Sequence, residues 1–401
     1  MRPVRRVRSG CCVRVFRPCG RCGCGVRTGC WVRPACWVRP VSGPGRRSRS
    51  VSGPGRAVSG GERGHTVAWF RGVPVRPMVG IMFAAYAARF DHDQPLNGLE
   101  LGERPEPEAR PGWTTVNVKA ASLNHHDLWS LRGVGLGEES LPMILGCDAA
   151  GIDEDGNEVV LHSVIGQNGH GVGPNEPRSI LTERYQGTFA EKVTVPSWNV
   201  LPKPKELSFE EAACLPTAWL TAYRMLFTNA GVRPGDSVLV QGAGGGVATA
   251  AIVLGAAAGL RVLATSRDAT KRARAVELGA EGAYEPGQRL PRRVDAVIET
   301  VGAATWSHSV KSLKPGGTLV ISGATSGPNP KATELNRIFF LELKVVGSTM
   351  GDRDELEDLL SFCAARGVRP VIDSVLPLDR AREGFEKMAG GDLFGKVVLT
   401  V

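Results

Sequence analysis

The sequence predicts an α/β protein of two domains, a β-rich lobe and a doubly wound parallel sheet. Three observations lead there. Residues 82–121 hold short apolar runs broken by turns (MFAAYAARF, LELGERP, TTVNVKAASLN), a local β pattern. From Ser208 onward the texture changes to strands alternating with helices, as parallel winding requires. The 324 residues from 78 to 401 are enough for two domains of ordinary size.

Residues 1–77 stand apart by composition. They carry 17 Arg, no Lys and one acid (Glu62), a net +16, whereas 78–401 carry 32 basic and 39 acidic residues, a net −7. The overall balance of +9 therefore belongs to this segment. It repeats CWVRP at 30–34 and 36–40 and VSGPGR at 41–46 and 51–56, with no apolar periodicity. Too little surface can be buried there to offset chain entropy, so disorder is expected. An arginine-rich arm for nucleic acid is one reading. Cys19, Cys22 and Cys24 as metal ligands are another, but no second ligand pair follows a folded spacer. A dispensable tail or an over-extended start is preferred to either, because Met78 and Met82 adjoin the first strand pattern. The acidic body offers nothing to nucleic acid. Its three cysteines (Cys147, Cys214, Cys363) are too few for a disulfide framework and suit a reducing, cytoplasmic compartment. No stretch is long and apolar enough to span a membrane.

Within the body, 78–205 reads as the β-rich domain, with EVVLHSVIG and GTFAEKVTVP flanking a Gly/Pro/Asn-rich insertion at 166–179. SFEEAACLPTAWLTAYRMLFTNAG then reads as helical, opening on a capping box of Ser208 and Glu211. The parallel sheet occupies 206–342, from SVLVQG to TLVISG. Residues 343–401 add KVVGS, the helices DELEDLLSFCAARG and DRAREGFEKMAGG, and a last strand KVVLTV.

The richest stretch is VLVQ–GAGGGVA–(Ala-rich helix)–RVLATSR at 238–267. Strand, glycine turn, helix and strand make the βαβ unit that holds a dinucleotide. Gly242, Gly244, Gly245 and Gly246 let the backbone approach a pyrophosphate, and the helix start at Val247 supplies free N–H groups. The second strand ends on Ser266-Arg267, with Lys271 a helical turn on, where an NAD binder usually carries an acid. A hydroxyl and two cations suit the 2′-phosphate of NADPH; Asp268 argues the other way.

Ordered motifs add a resemblance over nearly all of 82–401. ASLNHHDLWSLRG, GTFAEKVTVP, LTAYRML, AGVRPGDSVLVQGAGGGVATAA, IETVG, LKPGGTLVISG and FGKVVLTV occur in the order of the medium-chain dehydrogenase/reductases, and the chain resembles their zinc-free quinone oxidoreductase branch. The resemblance implies a GroES-like catalytic domain completed by the C-terminal segment, a Rossmann cofactor domain, a cleft between them and a homodimer. It places further cofactor contacts at Thr221, Gly302, Gly323 and Lys396. One departure is Ala248, where the branch has a last glycine.

The lobe at 152–190, where relatives carry a structural zinc, contains no cysteine. Relatives with catalytic zinc place ligands at the positions of Asn124, Cys147-Asp148 and Pro216, of which Asn124 and Pro216 are unsuited. His125, His126, His162 and His170 match no metal spacing. No metal is expected. The chemistry is then hydride transfer from NADPH to a quinone or α,β-unsaturated carbonyl, whose oxygen gains negative charge and needs a donor. By the resemblance Asn124 is that donor, and Trp129 stands where relatives often place a tyrosine. Trp129 could stack on a flat substrate or be a buried structural residue. His126 could supply a proton near neutral pH or be an exposed loop residue. Asp127 is expected to orient the Asn124 loop. A zinc-dependent alcohol dehydrogenase, and an NADPH-binding protein with a vestigial site, are the alternatives.

Overall fold

The computed structural model describes residues 80–166 and 177–401. The expectations on the tail, and His170, lie outside them. Strand β1 (Ile81–Ala87) pairs antiparallel with β2 (Leu99–Pro105). After β3 (Trp113–Ser122) the chain turns through α1 (His125–Leu131), and β4 (Met143–Ile144) returns to β1. Strands β5 (Asp148–Ile152) and β6 (Glu158–Leu161) extend antiparallel from β3. A small ribbon, β7 (Val164–Gly166) with β8 (Arg178–Ile180), follows. Then β9 (Lys192–Pro196) pairs with β3 and β10 (Val200–Pro202) with β6.

The helical stretch after Ser208 is present but unevenly wound. It passes through α2 (Phe209–Ala213), a π-wound turn at Leu215–Trp219, α3 (Leu220–Tyr223) and a second π-wound turn at Arg224–Asn229. Pro216, which has no N–H for the regular ladder, sits in the first widened turn. The capping box forms: Glu211 N donates to Ser208 Oγ at 3.2 Å, and Ser208 N to Glu211 Oε2 at 2.9 Å.

The second sheet is wholly parallel. It is built from β11 (Ser237–Val240), α4 (Gly246–Ala257), β12 (Arg261–Thr265), α5 (Ala269–Glu277), β13 (Gly282–Tyr284), β14 (Val294–Glu299), α6 (Trp306–Ser312), β15 (Leu313–Ile321), α7 (Leu335–Phe340) and β16 (Lys344–Gly347). Its strand order is β13-β12-β11-β14-β15-β16. The order reverses between β11 and β14, which opens a crevice at their carboxyl ends. β11, buried at all four positions, reads as a continuous apolar strand because helices cover both faces.

The parallel sheet includes β16, so it runs past the boundary expected at 342. Helix α8 (Arg353–Arg366) also packs there, on α3. After β17 (Ile372–Pro377) and α9 (Ala381–Gly390), β18 (Lys396–Thr400) rejoins the β-rich sheet antiparallel to β3. Both sheets lie in the single compact unit Pro74–Val401. Among the described residues no helix is long and apolar enough to cross a membrane.

Candidate active site

The glycine turn leaves backbone donors at the start of α4 without side-chain partners. Gly242 takes φ +80°, a left-handed backbone that favours glycine, and its N–H donates to Thr265 Oγ1 at 3.2 Å. Helix α4 starts at Gly246 behind Gly245, with no side chain capping it. By contrast α5 is capped by Asp268, which accepts from Thr270 N and Lys271 N. The first-turn N–H groups of α4, Val247 among them, are therefore suited to a phosphate. Across the crevice, Glu299 accepts from Val301 N (2.8 Å) and Gly302 N (3.0 Å) and shapes the turn after β14. Gly302 has φ +92°, and a Cβ there would stand 2.7 Å from Ala324 Cα. Gly323 lies against Thr300 O, and Thr221 is buried on α3, which packs on α4.

At the tip of β12, Arg267 is exposed and Ser266 Oγ accepts from Asp268 N at 3.2 Å. One oxygen of the exposed Asp268 carboxylate is engaged in capping α5. Arg272, not singled out from sequence, donates to Ser266 O (2.7 Å) and Arg267 O (3.1 Å) and holds the tip in shape. Lys271 is placed differently from expectation. Its Nζ donates to Gly391 O at 2.9 Å, and a Cβ on Gly244 would lie 3.3 Å from that ammonium. It accompanies the glycine turn rather than the Ser266-Arg267 tip.

Where β3, β5 and β18 meet, a second cluster is closed on itself. Asn124 caps α1 together with Asp127, whose Oδ2 accepts from Asn124 N at 2.8 Å while Oδ1 accepts from Gly146 N at 3.2 Å. The expected orienting role of Asp127 is visible in these two bonds. Burial raises its carboxyl to about 7 against the two bonds that favour the anion. The Asn124 carboxamide sits between opposite charges. Its Oδ1 accepts from Lys396 Nζ at 2.6 Å, and its Nδ2 donates to Asp148 Oδ2 at 2.8 Å. Lys396 Nζ also donates to Leu123 O (2.7 Å) and to Asp148 Oδ2 (3.2 Å). Ser122 Oγ lies 2.9 Å from both Asp148 Oδ2 and Ala213 O. Asp148 is 0% and Lys396 2% exposed, and Asp148 Oδ1 is buried with no hydrogen-bond partner.

Two expectations need correction and a third is narrowed. Lys396, assigned to the cofactor, has all three ammonium hydrogens committed inside the protein. The Asn124 amide keeps only part of its donor capacity: one N–H is taken by Asp148, and the other has only a long contact, 3.4 Å to Ser122 O. His126 is neither an exposed loop residue nor an acid at neutral pH. Its Nε2 lies 2.8 Å from Thr182 Oγ1, and burial lowers its pKa to about 4, the nearby Asp148 opposing. Trp129 is 39% exposed with the Arg132 guanidinium 5.2 Å from its ring, so it is not a buried structural tryptophan. Burial pushes the Cys147 thiol well above its usual value, and the thiol faces Leu181 O and Thr182, which leaves it no nucleophilic role. Thr182, a β-branched residue at φ 76°, was also missed; strain of this kind leaves no trace in composition.

At the positions where relatives with catalytic zinc keep ligands, the donor atoms are already engaged or missing. Asn124 Oδ1 and Asp148 Oδ2 already face an ammonium, which repels a second cation, and the Pro216 side chain has no ligand atom. Among the described residues no group of three or more His, Cys, Asp or Glu is arranged to hold a metal. Asp148, noted from sequence only beside Cys147, is the lone acid at the head of the strand DAAGI.

Comparison with known proteins gives the same architecture. Residues 110–205 match the alcohol dehydrogenase GroES-like domain, and 246–365 match the zinc-binding dehydrogenase model. A zinc-type alcohol dehydrogenase-like protein of Schizosaccharomyces pombe is 31% identical over 340 residues, covering 77% of this chain and 98% of that one. A quinone oxidoreductase of Mus musculus is 28% identical over 301 residues, 71% of this chain and 88% of its own. A NAD-dependent alcohol dehydrogenase of known structure superposes with TM-score 0.73 at 35% identity, covering 80% of this chain and 100% of that one.

Proposed function

Because the chain belongs to the medium-chain dehydrogenase/reductase superfamily and is an oxidoreductase of that kind, we propose that it transfers hydride from NADPH, without a metal, to a quinone or other α,β-unsaturated carbonyl. The observation that carries this reading is the Lys396 ammonium bonded to Asn124 and Asp148, at two of the positions where relatives with catalytic zinc keep ligands. The name of the mouse quinone oxidoreductase points to the same acceptor class. The uncapped end of α4 and the Gly242–Gly246 turn hold the pyrophosphate, with Lys271 alongside. Arg267 and Ser266 take the 2′-phosphate. Gly302, Gly323 and Thr221 bound the nicotinamide side. When bound, the reduced nicotinamide supplies the hydride. The Asn124 N–H not held by Asp148 donates to the acceptor oxygen as charge builds there. Trp129 offers an exposed flat face to the substrate. His126 stays neutral at pH 7 and positions Thr182, so the completing proton is drawn from solvent.

The test uses the purified chain with NADPH or NADH, 1,4-benzoquinone or but-3-en-2-one, and 1,10-phenanthroline. NADPH-preferring turnover untouched by the chelator is expected. The 35% identical NAD-dependent alcohol dehydrogenase favours a second reading, zinc-dependent alcohol oxidation. Stoichiometric zinc with chelator-sensitive oxidation of alcohols by NAD would establish that instead. Binding of neither nucleotide would leave a vestigial site.

We also propose a homodimer. β16 ends the parallel sheet, and Leu335, Phe339 and Phe340 of the helix before it are 64%, 60% and 77% exposed. Light scattering should show a dimer for the wild type and a monomer for Phe340→Glu.

A further inference from the structure

We propose that Lys396 is a positioning residue for the reduction: it sets which end of the Asn124 carboxamide meets the substrate and strengthens the N–H presented there. The inference rests on the metal-free reading above. A carboxamide can turn over, exchanging oxygen for nitrogen, and the two ends have opposite chemistry toward a substrate oxygen. Here the neighbours leave no choice. An ammonium has hydrogens and no lone pair, so the amide atom 2.6 Å from Lys396 Nζ must be the oxygen. An ionised carboxylate can only accept, so the atom 2.8 Å from Asp148 Oδ2 must be the nitrogen. The ion pair is 2% and 0% exposed, out of reach of bulk solvent. The remaining N–H, with only its 3.4 Å contact to Ser122 O, is the one left for a ligand.

Lys396 does more than choose the orientation. A charged donor on the amide oxygen draws electron density from nitrogen and makes its hydrogens better donors, the cooperative effect of linked hydrogen bonds. The residue also spans two sites. A Cβ on Gly246 would stand 2.9 Å from Lys396 Cδ, and Gly395 N donates to Gly244 O at 2.9 Å. The entry to β18 thus holds the glycine turn by the Gly395 backbone and the amide by the Lys396 side chain, which sets the distance between cofactor turn and donor.

The test compares wild type with Lys396→Arg, Lys396→Met and the double variant Lys396→Met/Asp148→Asn. The double variant removes both charges together, so no buried carboxylate is left unpaired to unfold the protein. The readouts are kcat with but-3-en-2-one, NADPH affinity by fluorescence, and exchange of the Asn124 Nδ2 protons in protein carrying ¹⁵N-asparagine, assigned with Asn124→Ala. The double variant should lose kcat by about 100-fold, the scale of losing one oxyanion donor, with NADPH affinity little changed and the slowly exchanging Asn124 proton gone. Lys396→Arg should recover most of both. A double variant with wild-type kcat overturns the proposal. So does loss of NADPH affinity in proportion to kcat, which would make Lys396 a cofactor contact. If wild type binds neither nucleotide nor reduces the enone, the reading of the reaction fails. The exchange readout still decides the lock: a fast-exchanging Asn124 amide in wild type removes it.

Discussion

The end of α4 and the Asn124 cluster adjoin where Gly246 meets the Lys396 side chain, yet they treat polar groups in opposite ways. At α4 the cap is a glycine and the first N–H groups have no side-chain partner, while Arg267 is exposed beyond β12. In the cluster nearly every donor and acceptor is matched internally and both charges are buried. The open region keeps its unsatisfied groups in contact with solvent, where they cost little until a phosphate displaces water. The closed region cannot, because a buried unpaired group carries a full desolvation penalty. Substitutions in the open region should therefore change binding, and those in the closed region should change stability and rate.

The largest effect is expected from Lys396→Met alone, which strands Asp148 in the interior. Loss of one partner of a buried pair costs about 3–5 kcal/mol. Thermal melting should show a large fall in Tm, mostly recovered when Asp148→Asn is added; a single variant as stable as wild type would break the contrast.

Acid is the next lever. Folded His126 holds its proton only below about 4, against 6.5 for a free histidine. Between those values the unfolded chain binds the proton and the folded chain does not. The stability associated with neutral His126 is complete above pH 6.5 and is lost as pH falls toward 4, by up to about 3 kcal/mol. Denaturant unfolding of His126→Gln, which keeps a partner for Thr182, should show a flatter profile across that window.

Arg267→Ala tests the open region. It should leave Tm unchanged and weaken NADPH by about 2 kcal/mol, the scale of charge-assisted hydrogen bonds, while NADH is nearly unaffected. Equal weakening of both nucleotides would remove the 2′-phosphate assignment. The smallest effect is Ser122→Ala. Asp148 keeps its bonds to Lys396 and Asn124, so the loss should be about 1 kcal/mol by urea unfolding.

Much of this was readable along the chain. The alternation after Ser208, the Ser208–Glu211 capping box and the glycine turn are local patterns, set by hydrophobic period and by what glycine and capping side chains do to their own neighbourhood. Boundaries were harder. β16 joins the parallel sheet because its pairing with β15 outweighs the change of texture near 343, and pairing is not written in the strand itself.

The Asn124 cluster divides along the same line. Asn124 and Asp127 sit in one short motif, and their capping bonds follow from spacing alone. Asn124 read as a donor with both N–H groups free because nothing near it in sequence competes for its amide. The competitors are Asp148 and Lys396, brought in by β5 and by β18 on either side of β3. Lysine 271 likewise looked like a partner of Arg267, one turn away, until the loop at Gly391 offered its carbonyl. By itself the sequence determined the two-domain winding, the dinucleotide turn and which residues could carry charge. Only the tertiary structure decided which charges are spent on one another and which are left for a ligand, because that depends on contacts between strands far apart in the chain and on the burial those contacts impose.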